Sequence, residues 1–312
     1  KPDGSYAIRT AHTVNVRAVP YDVPVVGYRN HVTNTLRLWN AEPSSHHLPK
    51  DMSFKEYCHA LEELTHGLYP DDSTEEGRIL RLRQQYFLVS AGLQSTLASY
   101  YRHHGTLKGI HEEYVFQLND THPILAIPEM MRIMMDEYEM GWDESWEEVT
   151  KSMAFTNHTV MPEALEKWPV RYVQNLIPRV FMIIEEINRR FNIEMNMNNV
   201  SDMAKYQMNI IKDGQIHMCN LAIYTCFSVN GVAALHTEIL KAITFKDFYN
   251  YFPEKFNNKT NGVTHRRWLV YANPKLADLI SSKIGDKWIT NMDLIKEFEK
   301  YQNDEKVLNK LD

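Results

Sequence analysis

Apolar positions follow two different periods along this chain. Within residues 5–40 they alternate, as in Thr13-Val-Asn-Val-Arg-Ala-Val19 and Thr33-Asn-Thr-Leu-Arg-Leu-Trp39, with Pro20, Pro24 and Gly27 as punctuation. This period of two predicts antiparallel strands joined by turns. Residues 41–52 read as loop. From there Phe54, Tyr57, Leu61 and Leu64 recur at helical spacing and predict a helix over 53–67. The polar stretch Tyr69-Pro-Asp-Asp-Ser-Thr-Glu-Glu-Gly77 predicts a loop. Leu80, Tyr86, Phe87, Leu93 and Leu97 mark the apolar stripe of a long helix after it.

Beyond residue 113 the pattern becomes strand then helix, repeatedly. A strand at 114–119 leads to a helix through Met140. A strand at 152–157 leads to helices over 162–168 and 178–191, the second burying Phe181, Ile184, Ile187 and Phe191. A strand at 226–230 leads to a helix through Lys241. Met292–Asp312 reads as a charged amphipathic helix. The layout is that of an α/β sheet. Four apolar or β-rich runs end in asparagine: Asn119 before Asp120-Thr-His-Pro123, Asn157 before His158-Thr159, Asn230 before Gly231, and Asn261 before Gly262. Polar side chains therefore gather at the carboxyl ends of strands, where open sheets bind ligands. Amides, a carboxylate and two imidazoles suit a polyhydroxylated ligand, because they match both its donors and its acceptors.

Plainer readings compete locally. Asp120 or Thr121 could cap a helix entered through Pro123, and Pro162 with Glu163 and Glu166 suits a first helical turn. Neither cap needs a histidine, yet both segments carry one. Asp120, His122 and His158 could make a metal hydrolase site, but no histidine pair has the helical i,i+4 spacing common in zinc enzymes, and no metal is expected. Asn-Gly pairs are turn signals first. His265-Arg-Arg-Trp268 reads as a surface ion pair beside a buried Trp, and Met130, Met131, Met134 and Met135 as core filler. Gly-rich phosphate loops are missing, so neither a P-loop nor a dinucleotide site is expected.

The 312 residues are 44% hydrophobic and 24% charged, with a net charge of -6. That charge leaves no footprint for nucleic acid or an anionic membrane. Cys58, Cys219 and Cys226 form no CxxC or zinc-like spacing and fit a reducing compartment. Without a signal-peptide pattern or an apolar stretch of about 18 residues, a cytoplasmic protein is expected. The opening Lys1 and the uncapped final helix lead to the expectation of a fragment of a longer chain.

These segments together resemble the glycogen (α-glucan) phosphorylases, of bacterial type. The resemblance rests on Pro24-Val-Val-Gly-Tyr-Arg-Asn30, Asn34-Thr-Leu-Arg-Leu-Trp39, Gln117-Leu-Asn-Asp-Thr-His-Pro123, Thr156-Asn-His-Thr-Val-Met-Pro-Glu-Ala-Leu-Glu166 with Trp168-Pro169, Val229-Asn-Gly-Val-Ala233, His236-Thr-Glu-Ile-Leu240, and Asn258-Lys-Thr-Asn-Gly262 with Arg266-Arg-Trp-Leu269. It implies an α/β fold, part of a GT-B Rossmann-like N-terminal domain with antiparallel strands at its start. Residues 1–290 would be the later part of that glucan-side domain: β-rich 1–40, a gate and subunit-contact region at 53–104, and strand–helix units at 114–290. Residues 291–312 would be a helical linker toward a C-terminal pyridoxal-phosphate domain.

The resemblance further implies a retaining phosphorolysis of α-1,4-glucan by inorganic phosphate to glucose 1-phosphate, in a homodimeric parent. His158 would be catalytic: its side chain would bind the 6-hydroxyl of the glucosyl unit, and its carbonyl would stabilise charge at the anomeric carbon. Asn261, Asn230 and Val232 would contact the glucosyl unit. Asp120, His122, Tyr69, Arg81, Ala164 and Glu166 would line the channel and acceptor subsites, and Asp72, Ser73 and Thr74 the gate. The general acid would be the phosphate of pyridoxal phosphate, whose Schiff-base lysine lies outside this chain, so the fragment alone should be inactive. Some positions depart from the family pattern. Cys226-Phe227 replaces a small, usually His-containing pair, the gate has no aromatic residue, and His265 stands where animal members have Pro. Ala98-Ser99 occupies the place of an arginine pair, which implies an AMP-insensitive enzyme. The alternative is a non-catalytic glucan-binding or regulatory module.

Overall fold

The computed structural model describes residues 8, 11, 13–44 and 52–311. Most of the expected strand before residue 13 and most of the loop over 41–52 lie outside the described residues. The chain divides into two compact units, one running to Lys259 and one starting at Thr260.

The first unit opens with β1 (Val16–Val26) and β2 (Thr33–Pro43), antiparallel and in register from Val16↔Pro43 to Val26↔Thr33. Tyr21↔Leu38 and Val23↔Leu36 share a face that stays exposed. Next comes α1 (Phe54–Thr65), whose start is fixed by a reciprocal cap: Glu56 N–H donates to Ser53 Oγ, and Ser53 N–H to the Glu56 carboxylate. Tyr57, Leu61 and Leu64 of α1 pack on Ala41 and on Phe87 of α2 (Glu75–His104). Thr74 caps α2 by accepting from Gly77 N–H, and Gly105 at φ 70° ends it. Gly77 is required by close approach, since a Cβ there would lie 1.7 Å from the Asp71 carbonyl oxygen.

Strand–helix units follow, beginning with β3 (Phe116–Asn119), α3 (Ala126–Arg132), α4 (Trp142–Ser152) and β4 (Met153–Thr156). In β4, Met153, Ala154 and Phe155 are all buried, as a parallel strand covered on both faces requires. The helix expected over 162–168 is one tight turn, Pro162–Ala164, followed by β5 (Lys167–Pro169). Pro169 disfavours helical geometry at Trp168, and Trp168 pairs with Ile216 instead. Then come α5 (Val170–Leu176), α6 (Pro178–Met197), α7 (Asp202–Met208), β6 (Ile211–Lys212), β7 (Gln215–His217) and α8 (Met218–Thr225). The unit closes with β8 (Ser228–Gly231), α9 (Ala234–Ile239), α10 (Lys246–Tyr251) and β9 (Phe256–Asn258).

The main sheet is parallel with strand order β3-β4-β8-β9, and β5-β7-β6 form a small antiparallel sheet. The fold is thus mixed α/β with an antiparallel pair at its start. The core wraps the main sheet, and Phe181, Ile184, Ile187 and Phe191 of α6 are in it, as are Met130, Met131 and Met134. β9 ends at Asn258, three residues before the asparagine expected at its tip.

In the second unit, α11 (Pro274–Ile284) buries Ala277 and Ile280 with Trp288. Trp268, expected to be buried, is 66% exposed, and the buried indole belongs to Trp288. The helix expected over 292–312 is broken into a 3₁₀ stretch, Met292–Tyr301, and α12 (Glu305–Leu311). Asp304 Oδ1 accepts from Lys306 and Val307 N–H, a cap that restarts the helix. Among the described residues no helix is long and apolar enough to cross a membrane.

Candidate functional site

The carboxyl ends of β3, β4 and β8 carry a joined row of polar side chains. Gln117 Nε2 donates to Thr156 Oγ1 at 2.7 Å and lies 3.5 Å from Asn230 Oδ1. Thr156 Oγ1 donates to Asn230 Oδ1 at 2.9 Å, and Asn230 Nδ2 to the Gly231 carbonyl at 3.1 Å. Two residues further along β3, Asn119 Oδ1 lies 2.6 Å from His158 Nε2. The parallel register puts Asn119 opposite Thr156 and Thr156 opposite Asn230, so one line of pairing assembles the row.

The backbone just past these ends is tightly held. Asp120 N–H donates to the Thr156 carbonyl and Asn157 N–H to the Asn230 carbonyl, both at 2.9 Å. Asp120 sits at φ 64°, a geometry Asp tolerates, and its carboxylate accepts from Thr121 N–H at 2.7 Å. A Cβ on Gly231 would come within 2.4 Å of Thr237 Oγ1, so this position keeps α9 close to the tip of β8. Val232 N–H donates to His236 Nδ1 at 3.0 Å. Burial, with His158 nearby, holds the His236 imidazole below its ordinary pKa. Its Nε2 is buried and has no partner among the described residues.

Behind the row, Asn157 is fully buried. Its Nδ2 lies 4.0 Å from Cys219 Sγ, and its Oδ1 has no partner among the described residues. Burial pushes the Cys219 thiol up, and the carboxylates of Asp120 and Glu166 add to it. A neutral thiol at that place is packing, not a nucleophile.

A second knot is centred on Arg81 of α2. Its guanidinium donates to Asp72 at 2.9 Å and to Glu166 at 3.3 Å, with His122 Nδ1 at 3.5 Å. Gln85 Nε2 also donates to Glu166 Oε1, at 3.0 Å, while Glu166 Oε2 is buried and unpartnered among the described residues. The Tyr69 ring meets the His122 ring edge-on, 5.8 Å between centroids. One guanidinium therefore ties the loop before α2 to the tip of β3 and the turn before β5.

Of the residues singled out from sequence, His158, Asn230 and Val232 belong to the edge. Tyr69, Asp72, Arg81, His122 and Glu166 belong to the knot, and Asp120 stands at the tip of β3. Ser73 N–H turns back to Asp71, Thr74 serves as the α2 cap, and Ala164 is exposed at the end of its turn. Asn261 falls in the second unit. Asp120, His122 and His158 do not gather: no group of three potential metal-holding side chains occurs among the described residues.

Sequence reading missed Gln117, Thr156, His236 and Gln85 as members, and treated Asn119 only as a strand end. The period of two was a usable signal for Gln117 and Asn119, which share one face of β3. Chemically, the edge is a mixed surface of amides, a hydroxyl and an imidazole, suited to hydroxyl groups of a neutral ligand.

Comparison with known proteins agrees over the full length. The sequence profile of the carbohydrate phosphorylases matches residues 1–312. The glycogen phosphorylase of Bacillus subtilis is 46% identical over 96% of this chain and 38% of its own length. The muscle form from Bos taurus is 42% identical over 96% of this chain and 38% of its own, and the Synechocystis glycogen phosphorylase 41% over 96% and 36%. The chain thus spans little more than a third of the relatives it matches, and it belongs to the carbohydrate phosphorylase family.

Proposed function

We propose that this chain is the glucan-side portion of an α-1,4-glucan phosphorylase, which converts glycogen or maltodextrin and inorganic phosphate to glucose 1-phosphate. The observation that carries the reading is the joined edge, Asn119–His158 beside Gln117–Thr156–Asn230, in a chain whose whole length matches the family. In this reading the edge holds the terminal glucosyl unit, with His158 against it and Asn230 and Val232 lining the pocket. The Arg81 knot, with Tyr69, Asp120, His122, Ala164 and Glu166, lines the way for the glucan, and Asp72, Ser73 and Thr74 form the gate. The parent is read as a cytoplasmic homodimer of GT-B type, with residues 291–312 leading toward its second domain.

Retained glucosyl transfer passes through an oxocarbenium-like state. The contribution of these residues would be differential. In this reading the His158 carbonyl would stabilise charge at the anomeric carbon that develops only in that state.

Pyridoxal phosphate, implied by the family, does not fit the side chains gathered here. It needs a lysine for its aldehyde and cations for its phosphate. Lys255 gives its ammonium to the carbonyls of Ile223 and Tyr224, Lys259 donates to Asn257 Oδ1, and the joined edge itself holds amides, a hydroxyl and an imidazole. We therefore place the cofactor outside this chain and expect the 312 residues alone to be inactive.

The test is phosphorolysis of maltodextrin by the full-length protein, before and after removal of pyridoxal phosphate. Cofactor-dependent glucose 1-phosphate supports the proposal. No product from the cofactor-replete protein moves the assignment to a non-catalytic glucan-binding module.

A further inference from the structure

His158 is exposed on the edge, and among the described residues its ring has one hydrogen-bond partner, Asn119 Oδ1 at 2.6 Å. We infer that Asn119 is a positioning residue that fixes the tautomer and direction of the His158 imidazole. The inference rests on the proposed function and names which atom of the site meets the sugar.

An amide oxygen can only accept, so the hydrogen at this contact belongs to His158 Nε2. In the neutral ring the other nitrogen, Nδ1, is then left with its lone pair and acts as an acceptor. The edge therefore reads a ligand hydroxyl by taking its O–H, not by offering a proton to it. Asn119 suits the task because it is a strand residue held in the β3–β4 register, whereas His158 lies just beyond the end of β4. A side chain on a rigid element locks a neighbour that solvent would otherwise leave free to turn. Without it, the exposed ring regains both its second tautomer and its rotamers.

Nitrogen NMR of ¹⁵N-histidine-labelled full-length protein, which distinguishes protonated from bare ring nitrogens, tests this directly. The His158 signals are identified by their loss in His158→Gln. Wild type should show a protonated Nε2 and a bare Nδ1, and Asn119→Leu a mixture of tautomers. In phosphorolysis, Asn119→Leu should lose about tenfold or more in kcat/KM. Asn119→Asp, which keeps an acceptor, should recover most of it. In the His158→Gln background Asn119→Leu should cost nothing further. A wild-type ring protonated at Nδ1, or an equal loss in both backgrounds, overturns the inference. A wild-type protein that makes no glucose 1-phosphate sinks the proposed function instead, and the tautomer comparison still decides the role of Asn119.

Discussion

Two buried polar clusters flank the main sheet, and they are built differently. On α3, Glu129 is fully buried and every lone-pair direction is used. Its Oε1 accepts from Ser90 at 2.6 Å and Arg132 at 2.9 Å, its Oε2 from Tyr86 at 3.0 Å and Arg132 at 2.8 Å. Burial and the Glu129 charge push the Tyr86 hydroxyl up, so it stays a donor. Toward the carboxyl edge, by contrast, Asn157 Oδ1, Glu166 Oε2, Gln85 Oε1 and His236 Nε2 are buried with no partner among the described residues. A closed network holds a fold together, while buried polar atoms left without protein partners call for another explanation. The contrast is between these two clusters, since Trp142 Nε1, Ser145 Oγ, Trp168 Nε1 and Thr225 Oγ1 are buried without partners among the described residues as well.

The comparison breaks most visibly at Glu129. Glu129→Ala leaves the part-buried Arg132 guanidinium with Glu137 alone and strands the hydroxyls of Tyr86 and Ser90, and it should destabilise by about 3 kcal/mol, read by denaturant unfolding. A loss under about 1 kcal/mol would mean the closed network is not structural. His158→Ala should do the reverse: kcat/KM of the full-length protein falls about a hundredfold, roughly 2.7 kcal/mol of barrier, with the melting temperature unchanged. Gly231→Ala joins the two readouts, because its Cβ meets Thr237 Oγ1 at 2.4 Å and the Thr237 Cα at 3.0 Å. Overpacking of about 1–3 kcal/mol and a weakened glucosyl site should appear together, by melting and by KM.

Arg81→Gln removes two part-exposed ion pairs, to Asp72 and Glu166, and should cost about 1 kcal/mol of stability. It should still raise KM for glucan severalfold while leaving KM for phosphate alone. The effect at His217 on β7 appears only as pH falls. Burial, with Lys212 and Lys167 nearby, lowers its pKa to about 4 from 6.5. The unfolded chain takes up the proton first, so this contribution is complete above pH 6.5 and is lost as pH falls toward 4. His217→Gln should flatten that part of the stability curve, and an unchanged acid slope would remove His217 as its source.

Much of this was legible in sequence where the signal is local. The apolar run in β4 and the 3.6 period of α2 announce themselves, and asparagines do stand at the tips of β3 and β8. The small β5-β7-β6 sheet was not legible, because Trp168 needs Ile216, a partner 48 positions away, and three residues carry no period. The Gln117–Thr156–Asn230 chain was hidden for the same reason. It exists only once the strand order β3-β4-β8 is known, and no residue in the three strands encodes that order by itself. Asn261 was misplaced as a strand tip because Asn-Gly resembles one, while β9 stops at Asn258.

The most direct measurement is a crystal structure of the full-length protein with a maltooligosaccharide. The account predicts a terminal glucosyl unit at the carboxyl ends of β3, β4 and β8, with a hydroxyl on His158 Nδ1 and the Asn119 contact intact. Sugar bound elsewhere, with this edge untouched, would contradict it.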